Sequence, residues 1–74
     1  MPKNKFSFYK GAFYDGQYHG VGKYWFKDGD YYEGMFHRGQ RHWFGLFKEK
    51  EGDVYAGEFK YGRPEGKGTI FKKD

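Results

Sequence analysis

The 74-residue sequence contains no cysteine, so neither a disulfide nor a thiolate metal site can stabilise its fold. Aliphatic side chains are also scarce, with two valines, one leucine and one isoleucine. No apolar stretch is long enough to span a membrane, and residues 1–5 lack the apolar run of a secretory signal peptide. Together these absences predict one small cytoplasmic domain with little aliphatic core.

Groups suited to catalysis and metal binding are equally sparse. The single serine, Ser7, has no evident base as a partner, and no glycine-rich loop leads into a helix that could hold a phosphate. His37 and His42 have neither a carboxylate nor a third histidine at a useful spacing for zinc. We therefore predict that the protein is not an enzyme and that it binds no metal and no cofactor.

Aromatic residues supply most of the apolar surface, since tyrosine, phenylalanine and tryptophan make up 26% of the chain. Each ring buries a large area while fixing few rotatable bonds, which suits a thin structure without a deep interior. The net charge of +4 favours acidic partners only weakly, because acids and bases are interleaved along the chain. This mixed charge, without a basic stripe, makes nucleic acid an unlikely partner.

The glycines repeat with a period of 23 residues. All thirteen fall into five columns: Gly11, Gly34, Gly57; Gly16, Gly39, Gly62; Gly22, Gly45, Gly68; Gly29, Gly52; and Gly20, Gly66. Tyrosines keep the same period at 9, 32 and 55, and phenylalanines keep it at 13, 36 and 59. This regularity indicates three copies of one supersecondary unit, at 9–31, 32–54 and 55–74, after a leader at 1–8.

Within each copy, rings, glycines and polar residues alternate with the period of two that is typical of strands. Asp15-Gly16 and Asp28-Gly29 supply turn chemistry between the alternating segments. The pattern predicts an all-β fold, a twisted antiparallel meander whose six short strands form three hairpins in one elongated sheet. The predicted strands lie near 8–14, 20–27, 31–37, 43–49, 54–60 and 66–72.

The glycines inside the strands share a face with the rings, as Tyr9, Gly11 and Phe13 illustrate. We expect a ring from one strand to lie flat across the bare backbone of its neighbour. The column of Gly20 and Gly66 is expected to provide the same clearance for a ring. Because Trp43 occupies the middle place of that column, its indole either fills a repacked core position or projects as an exposed anchor for a partner.

The repeated pattern resembles the membrane occupation and recognition nexus (MORN) repeat. The residues that carry the resemblance are Tyr-x-Gly-x-Phe, a glycine three positions on, Gly-x-Gly-x-aromatic and then Asp-Gly. In the first copy, residues 9–22 match this pattern almost position for position. The resemblance covers 9–74 and implies a scaffold of β-hairpins for protein partners, dimerisation or phospholipid head groups. It also implies that His19 and His42, at equivalent places, belong to the turns and hydrogen-bond the backbone.

The face opposite the glycines is unexpectedly apolar for a one-sided sheet. Such a patch on a small protein is typical of an interaction surface, unless sheet twist and residues 6–8 cover it. We predict a non-enzymatic protein–protein interaction module, a small adaptor or inhibitor, whose homodimer would thicken a thin core. The candidate partner-binding residues are Trp43, Trp25, Phe8, Tyr31, Met35, Phe44 and Leu46.

Peripheral binding to anionic phospholipid membranes is the alternative function. Basic side chains between exposed rings attract such surfaces electrostatically, and the attraction weakens with salt. The candidate lipid-binding residues are Lys10, Lys23, Lys27, Lys48, Lys50, Lys60, Lys67 and Lys72.

Overall fold

Six antiparallel strands form one open sheet in the computed structural model, which describes residues 6–74. The strands are β1 Phe8–Tyr14, β2 Gln17–Trp25, β3 Tyr31–His37, β4 Gln40–Lys48, β5 Val54–Lys60 and β6 Arg63–Phe71. They follow one another across the sheet in chain order, and the molecule measures 41 × 32 × 14 Å. The predicted all-β meander of hairpins is therefore confirmed. Most of the predicted leader, 1–5, lies outside the described residues, whereas Phe8 already opens β1.

The return strands begin three residues earlier than predicted, at Gln17, Gln40 and Arg63. The turns before them contain only two residues, and both have positive φ, as in Asp15 at 51° and Gly16 at 77°. Two consecutive residues of this kind form the type I′ turn, whose twist matches that of the flanking strands. The chain can therefore pair again immediately after the turn. The Asp28-Gly29 segment forms the looser connection between repeats, where Phe26 N donates to Asp30 O.

A tyrosine of each hairpin lies across a glycine of the return strand, as expected. A Cβ added to Gly22 would stand 2.5 Å from the Tyr9 ring, and one added to Gly45 would stand 2.4 Å from the Tyr32 ring. The Tyr32 hydroxyl then donates to Met35 O at 2.7 Å. The first and third repeats have the same contact and the same hydrogen bond. The absence of a Cβ at these glycines thus lets each ring lie against the backbone.

The fifth glycine column has a different cause from the one predicted. In each hairpin the return strand bulges, so that residues 19–21, for example, lie opposite Ala12 alone. Gly20 and Gly66, within these bulges, have φ of 73° and 75°. A Cβ on Gly20 would meet nothing closer than the Ala12 Cβ at 3.9 Å, so no ring needs its space. Glycine is favoured at these two positions because the backbone there adopts the left-handed conformation with positive φ.

The core lies on the face that carries the in-strand glycines, which we call the ring face. Its buried residues are Tyr32, Phe36 and Phe59. Edge-to-face contacts join consecutive repeats: Tyr9 meets Phe36 at 5.2 Å, and Tyr32 meets Phe59 at 5.1 Å between ring centroids. Each repeat therefore completes the core of its predecessor, so stability comes largely from contacts between neighbouring repeats.

The tyrosine–glycine contact can be tested with Gly45→Ala. The new Cβ would collide with the Tyr32 ring, so we expect the free energy of unfolding to fall by about 3 kcal/mol in urea titrations. Gly62→Ala is the matched control, because its φ is +82° but nothing lies within 4 Å. It should cost only about 1 kcal/mol of backbone strain. Equal losses in the two variants would show that the ring contact is unimportant.

Candidate interaction surfaces

The face opposite the ring face, which we call the outer face, contains all seven predicted partner-binding residues. Three of them form a first apolar stripe, because Phe8 pairs with Trp25 and Trp25 pairs with Tyr31 across adjacent strands. The Phe8 and Trp25 rings stack at 4.7 Å with an interplanar angle of 17°. The Trp25 and Tyr31 centroids lie 5.3 Å apart. The stripe thus crosses three strands without interruption.

A second apolar stripe crosses β2, β3 and β4. Val21 pairs with Met35, and Phe44 lies in the β4 bulge that faces Met35. Val21 is 66% exposed and Phe44 is 64% exposed. Between the two stripes runs a row in register, consisting of Lys10, Lys23, Glu33 and Leu46. The outer face therefore presents two apolar stripes separated by a row that is charged in β1, β2 and β3 and ends in the apolar Leu46; we call it the charged row.

Trp43 is an exposed residue in a strained backbone conformation. Its φ is 63°, in the left-handed region that tryptophan rarely adopts, and 48% of the residue remains accessible. The indole contacts the rings of His37 at 5.0 Å and His42 at 4.9 Å. A repacked core position is therefore wrong, and the indole projects beside the second stripe. Strain of this kind persists only where the surrounding structure imposes it.

A row of rings along the hairpin ends of the outer face was not anticipated. His19 lies beside His37 at 5.7 Å, and His37 lies beside His42 at 5.6 Å between centroids. Tyr14 and Tyr61 extend the row at either end. The 23-residue recurrence of His19 and His42 was the available signal, but only strand pairing places His37 between them.

The three histidines lie side by side without the arrangement of a metal-ligand group. No group of three or more histidine, cysteine, aspartate or glutamate side chains is arranged to hold a metal ion within residues 6–74. His19 lies within β2 and His42 within β4, so their expected place in the turns was wrong. The hydrogen bond to the backbone that the resemblance implied is present at His42, whose Nδ1 accepts from Tyr61 N at 3.4 Å. His37 Nδ1 is instead a buried atom without a hydrogen-bond partner. Burial, Arg38 and the neighbouring His42 and His19 lower the pKa of His37.

Arg41 is the most distinctive residue of the ring face and was missed by the sequence reasoning. Its place in the other repeats belongs to Tyr18 and Pro64. The guanidinium carbon lies 5.3–5.8 Å from the centroids of four rings, those of Phe26, Tyr32, Phe47 and Phe59. The signal that could have revealed it is the departure from the repeat, the same criterion that singled out Trp43.

The lysines predicted to bind lipid do not form one patch. Lys10, Lys23, Lys48 and Lys60 lie on the outer face, and Lys67 lies in the β6 bulge. Lys27 and Lys50 lie in the connections between repeats, where the Lys50 backbone N donates to Asp30 at 2.9 Å. Lys72 Nζ pairs with Asp53 at 3.3 Å. Within the described part of the chain, no helix is long and apolar enough to cross a bilayer.

The strain at Trp43 predicts that a glycine substitution is more stable than an alanine substitution, the reverse of the usual order in a strand. Both Trp43→Gly and Trp43→Ala remove the indole, but only glycine relieves the left-handed backbone. We expect the glycine variant to be more stable than the alanine variant by about 1 kcal/mol in urea titrations. At ordinary strand positions alanine is the more stable residue, so an alanine variant of equal or greater stability would contradict the assignment of strain.

The His37 environment predicts a stability that falls with acidification. Because its pKa is below the ordinary value of 6.5, the folded state binds fewer protons than the unfolded chain as the pH drops through that value. Stability should therefore decrease from pH 7.5 to pH 5, and His37→Gln should reduce this decrease, as measured by urea midpoints. Asp53, whose pKa is lowered from 3.8, loses its contribution at more acidic pH. An unchanged slope in the variant would exclude His37 as the cause.

Comparison with known proteins gives a family assignment. A family model for the MORN repeat matches three segments, 9–31, 32–47 and 55–74, and so covers most of the chain. No curated protein matches the sequence. The MORN repeat is a non-enzymatic binding module whose members serve protein–protein or membrane–lipid interactions. The matched segments coincide with the three hairpins described above, and the chain belongs to the MORN repeat family.

Proposed function

We propose that the protein is a non-enzymatic interaction module whose outer face binds a second copy of the chain. The observation that carries this proposal is the pair of apolar stripes, which the fold itself does not use. Val21 and Phe44 remain about two-thirds exposed, although the ring face already supplies the buried core. An exposed patch of this kind on a small protein marks an interaction surface.

A second copy is the occupant that best matches the dimensions and charges of this face. The sheet measures 41 × 32 Å, so one face covers on the order of 1,000 Å², which exceeds the roughly 800 Å² per partner of a standard interface. Lys23 and Glu33 are directly opposite each other in the charged row. Across a two-fold axis, Lys23 of one copy can meet Glu33 of the other while stripe packs on stripe.

The homodimer can be tested with Val21→Lys and its matched control Ile70→Lys. Both positions carry β-branched residues on strands and are exposed to similar extents, 66% and 63%, but Val21 lies on the outer face and Ile70 on the ring face. In light scattering after size exclusion, we expect a dimer for the wild type and for Ile70→Lys. Val21→Lys should be a monomer, because a lysine would be buried in the interface.

Trp43→Gly should also weaken the dimer while preserving the fold, since it removes the exposed indole beside the second stripe. A monomeric wild type at high micromolar concentration would exclude the homodimer. Dimers that persist in both Val21→Lys and Trp43→Gly would place the interface elsewhere.

Anionic membranes are the second candidate for the same face, favoured by the lysines that border the stripes. Lys10 and Lys23 lie directly opposite each other, which concentrates positive charge between the apolar stripes. The same wild-type and variant proteins can be mixed with phosphatidylserine vesicles or, as a control, with phosphatidylcholine vesicles, and the protein that sediments with the vesicles can be measured. Salt-sensitive pelleting with phosphatidylserine alone, by a monomeric wild type, would assign the outer face to membranes instead.

A further inference from the structure

The Arg41 side chain occupies an unusual place for a cation. It projects from β4 onto the ring face, where four aromatic rings surround its guanidinium carbon. One Nη donates to the backbone oxygen of Gly62, in the turn of the third hairpin. This bond and the ring contacts hold the guanidinium in one orientation. The cation is therefore positioned in advance, with little side-chain entropy left to lose on binding.

The positive charge of Arg41 is not neutralised within the described chain. No carboxylate of residues 6–74 lies within 4.0 Å of the guanidinium, since the only ion pair found there joins Lys72 to Asp53. Burial lowers the pKa of Arg41, but an arginine stays charged at neutral pH. A guanidinium has five N–H donors, and the single backbone oxygen of Gly62 does not satisfy them all. A carboxylate from outside would supply both the opposite charge and further acceptors.

The ring face on either side of Arg41 is hollowed. Toward the N-terminal repeat a hollow of about 270 Å³ is lined by rings that include Tyr18, Tyr24 and Phe36. Toward the C-terminal repeat a hollow of about 480 Å³ is lined by Phe47, Tyr55 and Ile70 among others. Arg41 lines both hollows. The arrangement offers a carboxylate-binding point with apolar sites before and after it.

The other charged groups of the larger hollow leave the central position to Arg41. Glu49, Asp53 and Lys72 line this hollow. Asp53 is compensated by Lys72 Nζ at 3.3 Å and by the Lys73 backbone N at 2.9 Å. Glu49 would repel a second acidic group there. The complementary ligand therefore carries its carboxylate at the centre and apolar groups at both ends.

A helix suits this surface better than an extended strand does. The ring face presents side chains, while the backbone of each inner strand is already paired with its two neighbours. An extended peptide lying on this face would bury backbone groups without partners, whereas a helix satisfies them internally. On a helix, residues three or four positions before and after an acid lie on the same side as the acid.

We propose that the ring face binds an amphipathic helix of a partner protein through a carboxylate–Arg41 contact, with apolar side chains in the two flanking hollows. The site lies on the face opposite the proposed dimer surface and does not depend on it. A dimer formed through the outer faces would expose two such sites, one on each side of the assembly.

Selection from phage-displayed random 16-residue peptides on the full chain tests the proposal. We expect the selected sequences to share one Asp or Glu with apolar residues three or four positions away on both sides. Peptides selected on the Arg41→Gln variant should no longer share the acid. Arg63→Gln is the control, because it removes the same charge from an exposed position in β6. The proposal would be overturned if peptides selected on Arg41→Gln kept the acid, if peptides selected on Arg63→Gln lost it, or if no peptide were selected at all.

A synthetic copy of a selected peptide, with its acid as Glu and as Gln, measures the contact itself. Against the wild type, the Gln peptide should bind at least about tenfold more weakly in titration calorimetry, as expected for the loss of a charge-assisted hydrogen bond. Against Arg41→Gln, the two peptides should bind equally. If Arg41 were only a structural residue, its replacement would weaken both peptides by the same factor, and the proposal would fail.

A further readout does not depend on the folding of any variant. In the wild-type chain, the Nε–Hε resonance of Arg41 should shift on addition of the Glu peptide and much less with the Gln peptide. Identical shifts with both peptides would contradict the proposed carboxylate contact with Arg41. Displacement of the Glu peptide by free acetate at low millimolar concentration would show that the ring face has no specific peptide-binding site.

Discussion

The contact between a tyrosine ring and a glycine backbone is the interaction on which this fold depends. Tyr9, Tyr32 and Tyr55 can lie against the neighbouring strand only because Gly22, Gly45 and Gly68 have no Cβ. Each hydroxyl then bonds the carbonyl that faces the bulge, at Ala12, Met35 and Glu58 respectively. One residue type thus both covers the sheet and holds the bulge in place. The rings form the layer that a helix or a second sheet provides in most domains.

This arrangement makes the two faces of the sheet independent of each other. Since the core of Tyr32, Phe36 and Phe59 lies on the ring face, the outer face is available for binding. The two residues that depart most clearly from the repeat lie on opposite faces. Trp43 adds an exposed indole to the outer face at the cost of backbone strain, and Arg41 adds a fixed cation to the ring face. Both departures belong to the second repeat, which has a neighbouring repeat on each side.

The sequence pattern predicted the strands and the contact between rings and glycines, because alternation and glycine spacing report directly on local backbone geometry. The prediction failed where the same residue type is required for two different physical reasons. Gly22 and Gly20 look alike in sequence, but the first makes room for a ring and the second adopts a positive φ. The return strands began earlier than predicted for a related reason, since a two-residue turn requires positive φ at Asp15 as well as at Gly16.

Periodicity alone established the number of repeats, the all-β class and the separation of the chain into a glycine-bearing face and an apolar face. These properties follow from the rule that strand side chains alternate, which needs no knowledge of distant contacts. The neighbours of Arg41 and the row from His19 through His37 to His42 emerged only from the folded chain. They depend on strand register and on the bulge in each hairpin, which bring together side chains from different repeats.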